Sequence, residues 1–333
     1  MLSIGVDLGY GVVKVVGPAG RVRFPAVWAP YPTAIAGWGI GTAGQPVIVD
    51  GVPVVVGERA AARPGAHRPF ADHRLADPDA LPLLGAALLA ADAEGDVILG
   101  TGTPLGAFGQ QRDGARAALE DRVLLLGDGR RERRVHVRRV VLRPQGVGAA
   151  LYLASEGALP SDPGYGAIVD VGTRTTDVLT VDLPTLTPVP ELCFSLEAGV
   201  ATAAEALAAA VQAKTGRLPP PDVAMAALTS PVAWGAGTVG GSAAKVHLDD
   251  LAATVRTEVR RRFGGDADRV LVHALVGGGS VLLGDRLARL LPGRTVEIGA
   301  EDAVFANALG FADAAAHAAR KYGAVPALPA GER

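Results

Sequence analysis

The sequence predicts an α/β fold built from two duplicated lobes around a ligand cleft. Two segments, 2–16 and 167–181, each combine a buried strand ending in Asp-x-Gly, a polar turn and a returning strand. A third segment, 270–291, combines a strand, three consecutive glycines and a helix. At 333 residues the chain is long enough for two lobes with their own cores. A strand-turn-strand segment that recurs near the start of each half of the chain is typical of a duplicated fold.

The first segment contains the residues of a phosphate-binding turn. Gly9 and Gly11 lie between two apolar runs, and glycine allows the positive φ angles and close backbone approach that a bulky anion requires. Asp7 and Lys14 flank the turn, where a carboxylate can hold a water of Mg²⁺ and an ammonium group can contact phosphate. The chain has only four lysines against 28 arginines, so composition does not explain a lysine here. Ordinary hairpins also pair Asp with Gly, so this segment alone leaves both interpretations open.

Asp170 and Gly172 repeat this arrangement in the second segment. Because two acidic turns head the two halves, we expect them to bind one ligand from opposite sides. In the third segment, Gly277 to Gly279 precede a helix that begins near Ser280. Three glycines allow a sugar, a base or a phosphate to lie against bare backbone, and the helix dipole favours anions. A plain strand-to-helix turn needs only one glycine, so the triplet indicates a ligand loop.

Composition limits the classes of function. Lys and Arg total 32 against 34 Asp and Glu, so the net charge of −2 provides no overall field for nucleic acid. The single cysteine, Cys193, can form no internal disulfide, and no His or Cys spacing predicts a zinc site. No basic stretch precedes a long apolar core at the N-terminus, and no apolar run reaches spanning length. These features predict a cytoplasmic protein without a membrane partner.

The other elements follow from periodicity and turn residues. Segment 100–106 follows a strand at 96–99, lacks the G-x-G-x-x-G spacing and contains Pro104, so we predict a structural turn. Segment 326–333 is predicted to be a disordered tail. Helices are predicted at 81–93, 112–119, 147–156, 198–214, 248–263, 281–291 and 302–321, the last broken near Gly310.

A predicted hairpin at 122–142 carries a basic run that could suggest a DNA contact. Partial alternation with Val135, Val137 and Val140 places most of these arginines on the wet face of a strand, and no aromatic residues are interleaved. We therefore expect no direct nucleic-acid binding. The arginines are Arg130, Arg131, Arg133, Arg134, Arg138 and Arg139.

The three segments, in this order and spacing, resemble the actin, heat-shock chaperone ATPase and sugar kinase superfamily over essentially the whole chain. The turn at Asp7 resembles the first phosphate loop, the turn at Asp170 the second, and segment 275–280 the adenosine loop. Four stretches are similar to ParM-like plasmid-segregation actins and archaeal actin-like proteins. They are Gly-Val-Asp-Leu-Gly-Tyr-Gly-Val-Val-Lys, Gly-Thr-Pro, Pro-Gln-Gly-Val-Gly-Ala and Asp-Val-Gly-Thr-Arg-Thr-Thr-Asp-Val.

The resemblance implies a two-lobed actin-like fold with a nucleotide in the cleft. Lobe I would comprise 1–155 with the C-terminal helix 313–325, and lobe II would comprise 156–312. It also implies binding and slow hydrolysis of ATP, or of GTP, with Mg²⁺. The chain would then assemble head to tail into a filament, through an interface that does not close. Such a filament would act in plasmid or DNA segregation through a DNA-bound adaptor protein.

The resemblance also assigns roles to residues. Asp7 and Asp170 would hold Mg²⁺, largely through its waters, and Gln145 would orient the attacking water. Because glutamine is not a strong general base, hydrolysis should be slow. The predicted nucleotide contacts are Gly9, Tyr10, Gly11, Lys14, Gly172, Thr173, Arg174, Thr175, Gly277, Gly278, Gly279 and Ser280.

Two residues depart from the family pattern. Tyr10 replaces the small hydroxylated residue of many relatives, so we expect only backbone contacts to phosphate there. Arg174 stands where other branches have a small residue, and it would reach phosphate, point across the cleft or lie exposed.

Two other functions stay open. A small-molecule kinase of the same superfamily would need a general-base carboxylate near its acceptor, and no further Asp or Glu stands in a convincing loop. A non-polymerising scaffold for pilus assembly or cell shape would bind nucleotide and assemble little.

Overall fold

A computed structural model describes residues 1–32, 45–69 and 74–323, so the predicted tail at 326–333 lies outside the described residues. The chain divides into two compact units. Unit 1 comprises Met1–Thr103, Ala107–Pro144 and Ala308–Arg333. Unit 2 comprises Pro104–Gly106 and Gln145–Asn307.

Strands and helices are numbered in chain order. The strands are β1 (Leu2–Leu8), β2 (Val12–Gly17), β3 (Gly20–Pro25), β4 (Trp28–Pro30), β5 (Val47–Val49), β6 (Val52–Val56), β7 (Gly95–Thr103), β8 (Arg122–Gly127), β9 (Glu132–Pro144), β10 (Tyr165–Val171), β11 (Thr176–Asp182), β12 (Thr187–Pro188), β13 (Phe194–Leu196), β14 (Val232–Trp234), β15 (Gly237–Val239), β16 (Val270–Val276) and β17 (Arg294–Thr295). The α-helices are α1 (Glu58–Ala61), α2 (Leu81–Ala90), α3 (Phe108–Leu119), α4 (Val147–Ser155), α5 (Val200–Thr215), α6 (Pro221–Ala227), α7 (Ser242–Phe263), α8 (Ser280–Ala288) and α9 (Ala300–Gly323).

Unit 1 is built on a nine-stranded sheet in the order β3-β2-β1-β7-β9-β8-β5-β6-β4. Strand β1 pairs antiparallel with β2 and parallel with β7, which is in turn parallel to β9. Strand β1 is almost continuously buried, as expected for a strand between two neighbours and under helices. Its apolar side chains join those of α2 and β7 in one core.

Unit 2 repeats this arrangement. Its main sheet has the order β12-β11-β10-β16-β17, and β10 pairs antiparallel with β11 and parallel with β16. The path from β3 to β9 in unit 1 therefore has the same pattern of strand directions as the path from β12 to β17. Helices α5, α7 and α8 contribute to the core of the unit beside this sheet. The prediction of an α/β fold with a duplicated strand-turn-strand unit is confirmed.

Two predictions of local structure are wrong. Strand β7 continues to Thr103, so residues 100–103 form strand rather than a turn, because β1 and β9 both pair with this stretch. Helix α9 is continuous through Gly310, with no break. One helical glycine costs only about 1 kcal/mol, and burial of Phe305 and Phe311 on either side outweighs that cost.

The basic hairpin, β8 and β9, carries its arginines largely on an exposed face. Three of them form ion pairs at 2.5 Å, 2.5 Å and 3.5 Å: Arg131 with Glu94, Arg133 with Asp92, and Arg138 with Asp96. The absence of direct nucleic-acid binding stays a prediction. Within the described ranges, no helix has the length and apolar character needed to span a membrane.

Candidate functional site

The first acidic turn places two opposite charges together in unit 1. Asp7 on β1 and Lys14 on β2 are direct cross-strand partners, and Lys14 Nζ lies 2.6 Å from Asp7 Oδ2. Asp7 is 3% exposed and Lys14 is 8% exposed. A buried charge is costly unless it is paired, so each side chain offsets the cost of burying the other. The residue predicted to contact phosphate and the residue predicted to hold Mg²⁺ thus form one ion pair.

The turn between these strands is tight. A Cβ at Gly9 would lie 2.7 Å from the Val12 carbonyl oxygen, so only glycine fits this backbone. The Gly11 carbonyl accepts a hydrogen bond of 2.9 Å from the Ala26 N–H, while Tyr10 lies half-buried beside it. At the carboxyl end of β7, the hydroxyl of Thr103 is buried without a hydrogen-bond partner among the described residues. An orphaned hydroxyl of this kind fits a site that receives a polar ligand or water.

In unit 2, Asp170 lies at the carboxyl end of β10 and is 7% exposed. Its Oδ2 accepts a hydrogen bond of 2.6 Å from the Nδ2 of Asn307, a buried residue of α9. Gly277, with φ of +83°, packs directly against Oδ1, and a methyl group there would overlap that oxygen. The structure therefore brings the predicted metal ligand and the glycine loop into contact.

Asn307 also reaches the turn that carries Gln145. Its Oδ1 accepts hydrogen bonds from the N–H groups of Gly146 at 2.9 Å and Ala149 at 3.1 Å, at the start of α4. Gln145 immediately precedes Gly146, whose φ of +84° makes the sharp entry into the helix. Asp170, Asn307 and the Gln145 turn thus form one hydrogen-bonded network.

The glycine loop uses most of its own backbone donors. Gly277 N–H donates to the Ala303 carbonyl at 2.9 Å, and Gly279 N–H donates to the Val171 carbonyl at 2.8 Å. The Ser280 hydroxyl donates to the Gly277 carbonyl at 2.7 Å. Gly278 alone of the three glycines is exposed, with open space where a Cβ would stand. The loop therefore presents bare backbone surface, which suits a flat ring or a sugar better than a phosphate.

The second acidic turn is closed by a hydrogen bond of 2.8 Å from Gly172 N–H to the Thr175 carbonyl. The carbonyls of Gly172 and Thr173 accept from the Val200 and Ala201 N–H groups at the start of α5. Arg174 is 39% exposed on its side chain and lies 3.4 Å from the Glu197 carboxylate. Exposed pairs of this kind contribute about 1 kcal/mol or less, so this contact holds Arg174 only weakly.

Asp177 on β11 is a buried carboxyl group that stands directly across the strand pair from Asp170. It accepts a hydrogen bond from the Ser195 hydroxyl, which in turn accepts one of 2.9 Å from Gly106 N–H. Burial raises the pKa of Asp177 to about 7; the Ser195 hydrogen bond opposes this rise and the charge of Asp170 adds to it. Near neutral pH this carboxyl therefore carries a proton in part of the molecules.

This pKa predicts how stability varies with pH. Between the ordinary value of 3.8 and about 7, folded Asp177 holds a proton that the unfolded chain has released. The free energy of unfolding therefore falls as pH rises through this window, by up to about 4 kcal/mol. We expect Asp177→Asn to remove this dependence, because the amide keeps the Ser195 contact without a charge. Urea unfolding from pH 4 to 8 without nucleotide or magnesium measures the difference, and parallel curves for the two proteins would contradict it.

The donor set determines how a metal could be held. Among the described residues, no group of three or more His, Cys, Asp or Glu side chains is clustered to bind an ion directly. Asp7 and Asp170 are single carboxylates, each already in contact with a donor. Such sites suit Mg²⁺, which keeps several of its waters and needs only one or two carboxylates together with phosphate oxygens.

Sequence reasoning missed three residues of this region: Thr103, Asp177 and Asn307. The sequence contained an indication that Asn307 is special, because it is the only asparagine of the 333 residues and stands in an alanine-rich helix. Asp177 sits within the quoted second-turn motif, seven residues after Asp170. Only the folded sheet shows that Thr103 is buried at a strand end.

Two family models match the chain. Residues 5–148 match the N-terminal domain of actin-like proteins, and residues 168–289 match the C-terminal domain of archaeal MreB-like actin homologues. Archaeal actin homologues of Thermoplasma acidophilum and Thermoplasma volcanium are each 42% identical over 325 residues, covering 95% of this chain and 99% of theirs.

Solved structures agree with this relationship. A crystal structure of an archaeal actin homologue superimposes with a TM-score of 0.86 at 40% identity, covering 95% of this chain and all of the other. The same protein in complex with ADP gives a TM-score of 0.83. A ParM from a Clostridium botulinum filament has a TM-score of 0.80 at 20% identity, covering 95% and 99% of the chains, and it shares the fold. The chain therefore belongs to the actin-like ATPase superfamily, in the family of archaeal actin homologues.

Proposed function

We propose that this protein binds ATP with Mg²⁺, hydrolyses it slowly and assembles into filaments in response. The observation that carries the proposal is the network in which Asn307 joins Asp170 to the Gln145 turn, while Gly277 of the glycine loop packs against Asp170. It joins a carboxylate that can serve a metal, a surface that can receive a ring, and a polar side chain that can position water. The relative solved with ADP supports a nucleotide as the ligand.

The proposal assigns each loop a part of the nucleotide. The flat surface at Gly278 would receive the base and ribose, beside Gly277, Gly279 and Ser280. The turn at 172–175 would bind phosphate through the N–H groups of Thr173 to Thr175, because Gly172 N–H is used within the turn. In unit 1, Lys14 and the turn at Gly9, Tyr10 and Gly11 would also contact phosphate.

Asp7 and Asp170 would hold Mg²⁺, largely through its waters, and the bound ion would neutralise charge on the transferred phosphoryl group. Asp7 is oriented for this by Lys14, and Asp170 by Asn307. Both carboxylates are held in fixed positions before any ligand arrives. Preorganisation of this kind lowers the cost of rearrangement during the reaction.

Gln145 would orient the attacking water. We expect Gln145→Ala to lower the hydrolysis rate about 10- to 100-fold, because a misplaced water loses alignment with the phosphorus. The dissociation constant for ATP should stay within about threefold, since the side chain would contact water rather than nucleotide. Phosphate release and binding of a fluorescent ATP analogue measure the two effects. Unchanged turnover, or lost binding, would remove Gln145 from this role.

Self-assembly is the second half of the proposal. The Clostridium botulinum ParM forms a 15-stranded filament, and we propose that this chain also forms head-to-tail filaments. Its role would be plasmid or DNA segregation, through a DNA-bound adaptor protein that the filament moves. GTP could replace ATP as the nucleotide.

Light scattering and electron microscopy of the purified protein test the whole proposal. With ATP and Mg²⁺ we expect scattering to rise and filaments to appear, whereas protein without nucleotide should stay dispersed. GTP in a parallel sample tests the nucleotide preference. Phosphoryl transfer only in the presence of a sugar or other small acceptor would instead identify a kinase. Nucleotide binding without assembly or hydrolysis would identify a scaffold.

A further inference from the structure

The side chain of Asn307 makes three hydrogen bonds to elements of the candidate site. None of them is needed to form α9, the helix that carries it. It is 4% exposed in α9, and asparagine is a poorer helix former than the alanines around it, Ala306 and Ala308. A buried amide must satisfy both its carbonyl and its NH₂ group. Asn307 does this by donating to Asp170 and accepting from two N–H groups of α4.

The start of α4 depends on this contact. No side chain of its own neighbourhood caps the helix, because its N-cap residue is Gly146. The first N–H groups of a helix have no partner within the helix, and here Asn307 Oδ1 supplies one from 161 residues away along the chain. An amide acts at this position as the distant cap of the helix that follows Gln145.

The amide of asparagine donates through its NH₂ group and accepts through its carbonyl oxygen at the same time, without carrying a charge. Aspartate would accept from α4 but could not donate to Asp170 when ionised. Alanine would do neither. The single asparagine of the chain therefore stands where both functions are needed together.

We infer that Asn307 is a positioning residue for hydrolysis, which sets the Gln145 turn relative to the Asp170 carboxylate. The inference rests on the proposed function, in which Asp170 serves the metal and Gln145 the water. In this role Asn307 acts through Asp170 and the Gln145 turn, to which its side chain is hydrogen-bonded. It fixes the distance between the two groups by bonding to Asp170 with one end of its amide and to the Gln145 turn with the other.

The first arm of the test uses the protein without nucleotide. Hydrogen exchange of peptide 145–153 is compared among the wild type, Asn307→Ala and Asn307→Asp. In Asn307→Ala we expect the amides of Gly146 and Ala149 to exchange roughly tenfold faster, because they lose their acceptor. Asn307→Asp should keep their protection, since a carboxylate also accepts. Gln111→Ala, which removes another buried amide on α3, controls for general loosening and should leave this peptide unchanged.

The second arm measures kcat for ATP hydrolysis and the dissociation constant of a fluorescent ATP analogue. Both Asn307 variants should lose about 10- to 100-fold in kcat, because each breaks the link on at least one side. Their nucleotide affinity should stay within about threefold. A purely structural role would instead lower thermal stability, with kcat unchanged in the protein that remains folded.

The outcomes separate the two proposals. Wild-type exchange in Asn307→Ala, or wild-type kcat in both variants, would overturn the positioning role even where the protein proves to be an ATPase. A wild-type protein that does not hydrolyse ATP would overturn the proposed function. The exchange arm would then still decide whether Asn307 holds the Gln145 turn. Should Asn307→Ala fail to fold, Asn307→Asp keeps the side-chain shape and carries the kinetic test.

Discussion

Replacing Asp170 by alanine is expected to abolish ATP hydrolysis, with a loss of at least about 1000-fold. The carboxylate is buried at the end of β10, where Asn307 is hydrogen-bonded to one oxygen and Gly277 packs against the other. Its charge would be needed to hold the waters of Mg²⁺ beside the phosphates. Phosphate release at saturating ATP and Mg²⁺ measures the effect.

Two further variants show whether charge or packing is responsible. Asp170→Asn keeps the size and can still accept the Asn307 hydrogen bond, but it removes the charge. We expect it to fold with nearly unchanged thermal stability and to lose hydrolysis almost as completely. Asp285→Ala, an exposed aspartate on α8 of the same unit, should retain wild-type turnover. Wild-type turnover in Asp170→Asn would rule out the metal role.

Gly100→Ala should cause a large loss of stability in unit 1. Gly100 is buried in β7 where α9 crosses the sheet, and a methyl group there would overlap the Phe311 carbonyl oxygen. A backbone oxygen cannot rotate away as a side chain can, so the helix itself must shift. We expect a cost of about 3 kcal/mol and a melting temperature lower by roughly 6–12 °C, measured by a thermal scan.

The same substitution at Gly114 gives a matched control with the opposite sign. Gly114 lies in α3 of the same unit and has open space where a Cβ would stand. Alanine is the better helix former, so Gly114→Ala should raise stability by about 0.5–1 kcal/mol. If both substitutions shift the melting temperature equally, close packing of α9 on Gly100 is not the cause.

The two strand-turn-strand segments could be predicted because the sequence pattern that specifies them is local. An apolar run, Asp-x-Gly and a second apolar run specify a hairpin within about 15 residues, and both hairpins occur at the predicted places as β1–β2 and β10–β11. The loop of three glycines before α8 could be predicted for the same reason. The family resemblance came from the order of these local signals, and the identity with the archaeal homologues confirms it.

The prediction of a turn at 100–106 was wrong for residues 100–103, because their conformation depends on contacts with distant parts of the chain. Gly100 and Gly102 look like turn residues in sequence, but they are strand residues that make room for α9, more than 200 residues later. Nothing near them in the chain carries that information. The predicted break at Gly310 failed for a related reason, since burial of α9 outweighs the propensity of a single glycine.

The sequence alone determined the α/β class, the two acidic turns, the glycine loop and the family, because each depends on patterns within a few neighbouring residues. Only the tertiary structure decided which side chains meet. It paired Lys14 with Asp7, raised the pKa of Asp177 by burial, and joined Asp170 to the Gln145 turn through Asn307. These contacts link residues from 7 to 161 positions apart. The distant ones among them form only when strands and helices far apart in the chain are packed into one core, and packing is a property of the whole fold.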